Sequence, residues 1–412
     1  MGDSMRLLFI HQNFPGQYRH LVHHFGSQKG HEIACVGESQ NLLRWEGLPG
    51  VRVHGYSVQE KKDAGHPYAL GFENSLRRGQ AVAVTCTEIK KSGFVPDVIC
   101  VHSGWGEGLF LKDVFPDAKI LMYCEFYYNA EGSDFNFERK KRPTLDELFF
   151  LRTRNATQCL SFMQADAGIS PTVWQKSQYP DIISQKITVL HEGVDTARFQ
   201  PDNKAVITLS QSGLALRPGD KVVTFVNRNL EPYRGFRTFL HSIPLLQQKH
   251  PDAQILIVGA DGRGYGAPAP KGTTYRKMYM NEIKEKADIR KIHFLGHVPH
   301  GILRQLYQVS AAHVYLTFPF VLSWSMLEAM SCQCLVIGSK TPPVQEVLKD
   351  GENGLLVDFF SPEQVAGAVC EALDGSDRIA GIRERARKTI VDKYDLRSVS
   401  LPQYDNLLAS LA

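Results

Sequence analysis

Short apolar runs separated by helical patterns recur along almost the whole chain, and this alternation limits the available folds more than any single motif does. The first series opens with Leu7-Leu-Phe-Ile10, turns at Asn13-Phe-Pro-Gly16, and enters a helical pattern through Tyr18, Leu21, Val22 and Phe25 that stops at Gly30. Apolar runs follow at 32–36, 51–56, 97–102, 119–124 and 186–190, with a helix expected from about 73 to 92. A second series starts at Val222-Val-Thr-Phe-Val226 and continues at 254–258, 292–295, 312–316 and 334–337. Helical patterns lie between them at about 235–249, 300–310, 325–332, 343–349 and 362–374. Continuous apolar strands alternating with helices imply parallel sheets covered on both faces. We therefore expect an α/β chain of two doubly wound units, residues 1–198 and 199–394, with a terminal helix at about 395–412 returning to the first. The Gly-, Pro- and Ala-rich stretch 261–272 reads as a loop insertion between a strand and a helix starting near Tyr275.

Charge and cysteine usage narrow the function. Forty-seven basic against 43 acidic side chains leave a net charge of +4, too weak for a protein that lives by gripping a nucleic acid backbone. The eight cysteines stand mostly alone in apolar stretches without C-x2-C spacing, so we expect reduced core thiols and a cytoplasmic chain. The opening residues lack a signal peptide's long apolar stretch and small-residue cleavage site, and no export is expected. The uncharged run from Gln305 to Leu327 is long enough to span a bilayer, but Gln305, Gln308, His313 and Pro319 favour buried helix, strand and loop. Neither an Asp-x-Asp motif nor a His/Cys cluster asks for a catalytic metal.

Doubly wound sheets bind ligands beyond the carboxyl ends of their strands, so the residues just after each strand carry the functional information. After Val226 the loop Asn227-Arg-Asn-Leu-Glu-Pro-Tyr-Arg-Gly235 places Arg228 and Arg234 at the start of a helix. Guanidinium groups beside a helix N-terminus suit a diphosphate, and the same loop could equally hold two solvated arginines. Glu328, in the first turns of the helix after Phe318-Pro-Phe-Val-Leu-Ser-Trp-Ser325, could accept hydrogen bonds from a ribose diol or simply face water. Backbone amides near Ser323 to Ser325 could face phosphate. His102 and Glu125 end their strands, and either could be structural. Arg139-Lys-Lys-Arg142, beside Tyr127 and Tyr128 and ahead of Leu148-Phe-Phe-Leu151, could meet anionic lipid headgroups or an acidic acceptor, or form a solvated loop.

Taken in order, these segments resemble family 4 of the retaining glycosyltransferases, which have the GT-B fold. The carriers are the stretch from Lys186 to Pro201, the loop 225–235, Leu256-Ile-Val-Gly259, Ile292-His-Phe-Leu-Gly-His-Val298, Ser325-Met-Leu-Glu-Ala-Met-Ser331 and the stretch from Val344 to Val357. The resemblance implies two facing Rossmann-like domains with an interdomain cleft and transfer of a hexose from a nucleoside diphosphate sugar, with retention. UDP is the first expectation and GDP the second. The acceptor would be a hydroxyl of a glycan, a lipid-linked or a small-molecule acceptor, as in polysaccharide biosynthesis. It further implies no cofactor, no metal and no nucleic acid partner.

Residue by residue, the resemblance makes Arg228 and Arg234 the diphosphate clamp, Glu328 the ribose acid, and the backbone of His297 and Val298 the border of the nucleobase. Gly16 matches the glycine loop near the donor phosphates, with Gln17 where a second glycine often stands, and His102 matches the histidine beside the transferred sugar. Glu125 would orient an acceptor hydroxyl. The family's paired acids would put one at Phe320, eight positions before Glu328, where this chain has a ring instead. Backbone amides of Leu322, Ser323 and Trp324, with Ser325, would then hold the donor. Arg139, Lys140, Lys141 and Arg142 would give peripheral contact at the inner face of the membrane. Two rivals remain: a non-catalytic sugar-nucleotide or glycan-binding module, which Phe320 motivates, and a nicotinamide-binding dehydrogenase. The latter is disfavoured because Gly259-Ala-Asp-Gly-Arg-Gly264 lacks the G-x-G-x-x-G order.

Overall fold

The computed structural model describes residues 4–43, 45–63, 65–139, 141–209 and 213–412. The chain divides into two units, one formed by Met1–Gly193 with Arg397–Ala412, the other by Val194–Leu396. The two boundaries lie side by side: the Val194 amide donates to the Tyr394 carbonyl and the Leu396 amide to the Val194 carbonyl, at 2.8 Å each.

Unit 1 is built on β1 (Arg6–Ile10), β2 (Glu32–Glu38), β3 (Val51–Tyr56), β4 (Val98–His102), β5 (Lys119–Tyr123), β6 (Ala167–Ser170) and β7 (Ile187–Val189). They pair in parallel in the order β3-β2-β1-β4-β5-β6-β7, so the winding direction reverses between β1 and β4. The apolar runs read from sequence are six of these seven strands, β1 to β5 and β7, and the interior strand β6 is the one they miss. Leu7, Leu8, Phe9 and Ile10 are fully buried because helices cover both faces, and each such side chain contributes about 1.5–3 kcal/mol. The helix expected near residue 73 begins earlier, at Leu70, and runs to Lys91. The terminal helix Leu401–Leu411 buries Tyr404 and Leu408 in the core of this unit.

Unit 2 carries a two-residue hairpin, β8 (Ile207–Thr208) with β9 (Ala215–Leu216), and a six-stranded parallel sheet. Its strands are β10 (Val222–Asn229), β11 (Gln254–Ala260), β12 (Ile292–Gly296), β13 (Ala312–Tyr315), β14 (Leu335–Ser339) and β15 (Leu355–Val357), ordered β12-β11-β10-β13-β14-β15. The reversal here falls between β10 and β13. The charged, weakly amphipathic helix Asp377–Tyr394 and the short β6 and β15 are elements the apolar pattern does not announce. The stretch Gln305 to Leu327 splits into the end of helix His300–Val309, β13, a loop and the start of helix Trp324–Ser331. Among the described residues no helix is long and apolar enough to cross a membrane. All eight cysteines are free thiols.

Candidate functional site

Doubly wound sheets bind ligands at the carboxyl ends of the strands beside the winding reversal, and polar residues of each unit gather there. In unit 1 the chain leaving β1 delivers His11, which is 2% exposed. Its Nδ1 accepts the Asn13 amide (3.0 Å), so its Nε2 carries the proton and donates to Gln17 Oε1 (2.5 Å). That donation fixes the Gln17 amide, whose Nε2 donates to Glu125 Oε1 (3.0 Å). The other carboxylate oxygen, Glu125 Oε2, lies 3.3 Å from His102 Nε2, and His102 Nδ1 accepts the Gly104 amide at 3.0 Å. Trp105 stacks on His102 with ring centroids 3.7 Å apart. Burial and the neighbouring His102 push the His11 pKa down to about 3, so His11 is neutral at any working pH. Gly16, at φ +48°, lies so close to the His11 ring that a Cβ there would overlap it. Gly16, Gln17, His102 and Glu125 are thus one hydrogen-bonded and packed cluster. Its two other members, His11 and Trp105, escaped the sequence reading, although His11 follows a strand as His102 ends one.

In unit 2 the loop after β10 turns at Pro232–Arg234 and starts helix Phe236–Lys249. Gly235, at φ +66°, makes this turn against Leu316, which a Cβ would overlap. A cavity of about 190 Å³ opens here, bordered by Arg228, Glu231, Arg234, Arg263, Tyr265 and Ser323 among others. Arg228 is exposed, with no hydrogen bond or ion pair to its side chain among the described residues. Arg234 differs from the sequence expectation of a guanidinium held out to a ligand. It is 6% exposed, and its Nη1 donates to Thr317 Oγ1 (2.8 Å), the Val321 carbonyl (3.1 Å) and the Tyr315 hydroxyl (3.2 Å). Burial opposes its charge, but Tyr315, Tyr265 and Glu231 raise its pKa above the ordinary value. Arg234 therefore ties the β10 loop to the loop after β13 while bordering the cavity.

The ring of Phe320 stands where a second acid was expected, 4.9 Å from the Tyr265 ring, 5.6 Å from Tyr233 and 6.0 Å from the Arg234 guanidinium carbon. The Ser323 amide donates to the Tyr315 hydroxyl (2.8 Å), and the Ser325 amide to Ser323 Oγ (3.4 Å), so both are engaged within the protein. Leu322 and Val298 pack against the core, and Trp324 is 42% exposed. Glu328, 7% exposed, does not border this cavity; its Oε1 meets His300 Nε2 at 3.0 Å. His297 ends the segment after β12, two residues before the Pro299 cap of His300–Val309. Among the described residues no group of His, Cys, Asp and Glu is placed to hold a metal ion. Of the basic run, Arg139 is paired with Glu147 (2.5 Å) and lies over the Phe135 ring; Lys141 and Arg142 are exposed, and Lys140 lies outside the described residues.

Two parallel doubly wound sheets, each with its polar residues at the carboxyl edge, define the GT-B fold. Residues 29–199 match the model of the glycosyl transferase family 4 group, and residues 208–389 that of the glycosyl transferases group 1. The chain belongs to this glycosyltransferase family. It is 26% identical over 197 residues to a D-inositol 3-phosphate glycosyltransferase of Corynebacterium glutamicum, covering 48% of this chain and 46% of the relative. The chain thus spans about half the length of the first curated relatives it matches. Two solved structures share the fold over 98% of the chain at 16% identity. Anabaena HepE, solved with UDP and glucose, superposes with a TM-score of 0.70 over 99% of its own chain; sucrose-phosphate synthase of Thermosynechococcus elongatus does so with 0.71 over 100%.

Proposed function

We propose that this chain is a glycosyltransferase that moves a hexose from a nucleoside diphosphate sugar, UDP first and GDP second, to an acceptor hydroxyl with retention at the anomeric carbon. The observation that carries the reading is the unit 2 cavity, where Arg228 and the charged, buried Arg234 border one space at the winding reversal of a nucleotide-binding fold. The UDP in the HepE structure supports the choice of carrier. In this reading the anomeric carbon–oxygen bond to the diphosphate breaks, and the acceptor oxygen bonds the same face. The acceptor proton passes to the leaving phosphate oxygen. The guanidinium groups offset the charge that grows on that phosphate, which is why no metal is needed. Glu328, held by His300, serves the ribose, and His297 and Val298 border the base. The cluster of Gly16, Gln17, His102 and Glu125 serves the transferred sugar and the acceptor, a glycan, lipid-linked or small molecule. Peripheral contact with anionic lipid would use Lys141 and Arg142 together with Leu145, Leu148 and Phe149, which are exposed on the next helix.

The test is transfer itself. Incubation with UDP-glucose and a panel of acceptors, in excess chelator, should release UDP and give a product whose anomeric configuration, read by NMR, matches the donor. Inversion would overturn the stereochemical assignment, and strict dependence on manganese or magnesium the metal-free one. Phe320 favours one rival, a sugar-nucleotide-binding module without catalysis. Tight UDP-sugar binding with no UDP release across the panel would establish it.

A further inference from the structure

The loop between β11 and helix Tyr275–Ile283 brings a third guanidinium to the unit 2 cavity, that of Arg263. Like Arg228, it is exposed and has no side-chain hydrogen bond or ion pair among the described residues. Its backbone is held at two points. Asn229 Nδ2 donates to the Arg263 carbonyl at 2.9 Å, and the Gly266 amide donates to Glu231 Oε2 at 3.0 Å. The loop lies flat on these two side chains: a Cβ at Gly262 would come within 2.6 Å of Asn229 Oδ1, and one at Gly264 would overlap the Glu231 carboxylate. Asn229 and Glu231 belong to the same nine-residue segment, 227–235, that carries Arg228 and Arg234. The segment therefore sets the place of all three arginines.

Resting on the donor-site reading above, we propose that Arg263 is a further diphosphate-binding residue, and that Asn229 and Glu231 are its positioning residues. Arg234 spends Nη1 on three internal acceptors, so a diphosphate that met only Arg228 and Arg234 would find one uncommitted guanidinium. Arg263 supplies the second. Glu231 is 3% exposed and stands close enough to Arg234 to favour its charged form, which offsets the mutual repulsion of three cations around one small cavity. The glycines of the loop 261–272 let its backbone lie against the two pins, and Arg263 then faces the space the phosphates would fill.

Calorimetry of the full chain with UDP and with uridine tests this. Arg263→Ala should weaken UDP binding about tenfold while leaving the weak uridine affinity unchanged. Glu231→Ala should lose about as much, and the double variant no more than twofold beyond either single one, because both changes remove the same contact. Glu231→Gln keeps an acceptor for the Gly266 amide and should bind UDP within about threefold of the parent. An unchanged UDP affinity in Arg263→Ala, alongside a loss in Arg228→Ala, would overturn the Arg263 assignment and leave the donor-site reading standing. Fully additive losses, or a Glu231→Gln variant that keeps UDP affinity but loses turnover, would overturn the positioning role of Glu231. No binding of UDP, GDP or ADP by the parent protein would instead sink the donor-site reading, and this inference with it.

Discussion

The carboxyl edges of the two sheets are built on opposite plans. In unit 1, His11, Gln17, Glu125 and His102 satisfy one another in an unbroken run of hydrogen bonds. In unit 2, Arg228 and Arg263 border a cavity with no partner for either among the described residues, and only Arg234 is bound into the frame. A satisfied polar cluster fixes the orientation of its members before any ligand arrives, as a reaction centre requires. Unspent cations around a cavity gain their partner only from an anion. The contrast supports the division of labour proposed above, with the donor on unit 2 and the transferred sugar and acceptor served by unit 1.

The strongest way to break the contrast is to remove the one unit 2 arginine that is committed internally. Arg234→Ala strands Thr317, Tyr315 and the Val321 carbonyl, and leaves Glu231 buried without its cation. It should destabilise unit 2 by about 3–5 kcal/mol, measured by denaturant unfolding. A variant of parental stability would show that Arg234 is dispensable to the frame. Next in size, His102→Ala should lower turnover on the order of 10²-fold with UDP affinity unchanged, whereas Glu328→Gln should chiefly weaken the nucleotide. Matching kinetic profiles for these two variants would erase the division between the units. Arg228→Ala should cost about tenfold in UDP affinity with stability changed by less than about 0.5 kcal/mol, since its side chain supports nothing else. A loss of stability comparable to that of Arg234→Ala would mean that the two arginines do one job.

How much of this was legible in the sequence depended on whether a residue's meaning is local. The sheets were readable because strands buried on both faces must be continuously apolar, and the restart of the series at Val222 gave the two units; the strand order within each sheet was not readable, because pairing joins segments far apart in the chain. Helix Asp377–Tyr394 was not readable, because its charged face hides the few residues, Ile379, Ile382, Ala386 and Ile390, that it buries. Arg228 and Arg234 could be found as a pair, yet nothing local says that one is exposed and the other buried; that is decided by Thr317 and Val321, more than eighty residues away. The link from Gln17 to Glu125 spans 108 residues and Glu231 meets a loop 35 residues on, so neither partner could be named from its own neighbourhood. His11 was within reach, since the rule that singled out His102 applies to the residue after β1 as well.

The smallest expected effect concerns proton uptake, where unit 1 buries groups of opposite sign. His11 in unit 1 and His313 in unit 2 are both held neutral, with pKa values pushed down to about 3, in each case chiefly by burial. Below about pH 6.5 each unfolded histidine takes a proton that its folded counterpart refuses, so each makes its unit less stable as pH falls. Unit 1 also buries Glu107, whose pKa burial raises to about 7 against the Tyr56 hydrogen bond that lowers it. Between about pH 4.5 and 7 the folded carboxyl holds a proton that the unfolded one has released, so Glu107 makes unit 1 more stable as pH falls. The two terms in unit 1 oppose each other, while His313 in unit 2 sits against Thr224 and the Tyr307 ring, neither of which titrates in this range. Lowering the pH from 6.5 to 5.5 should therefore cost unit 2 about 1 kcal/mol through His313, while in unit 1 Glu107 offsets a loss of similar size from His11, read by hydrogen exchange at β10 and β1. Glu107→Gln removes the opposing term, and unit 1 should then lose stability more steeply as pH falls. An unchanged unit 1 slope in that variant would show that Glu107 is ionised in the fold and that the balance with His11 does not exist.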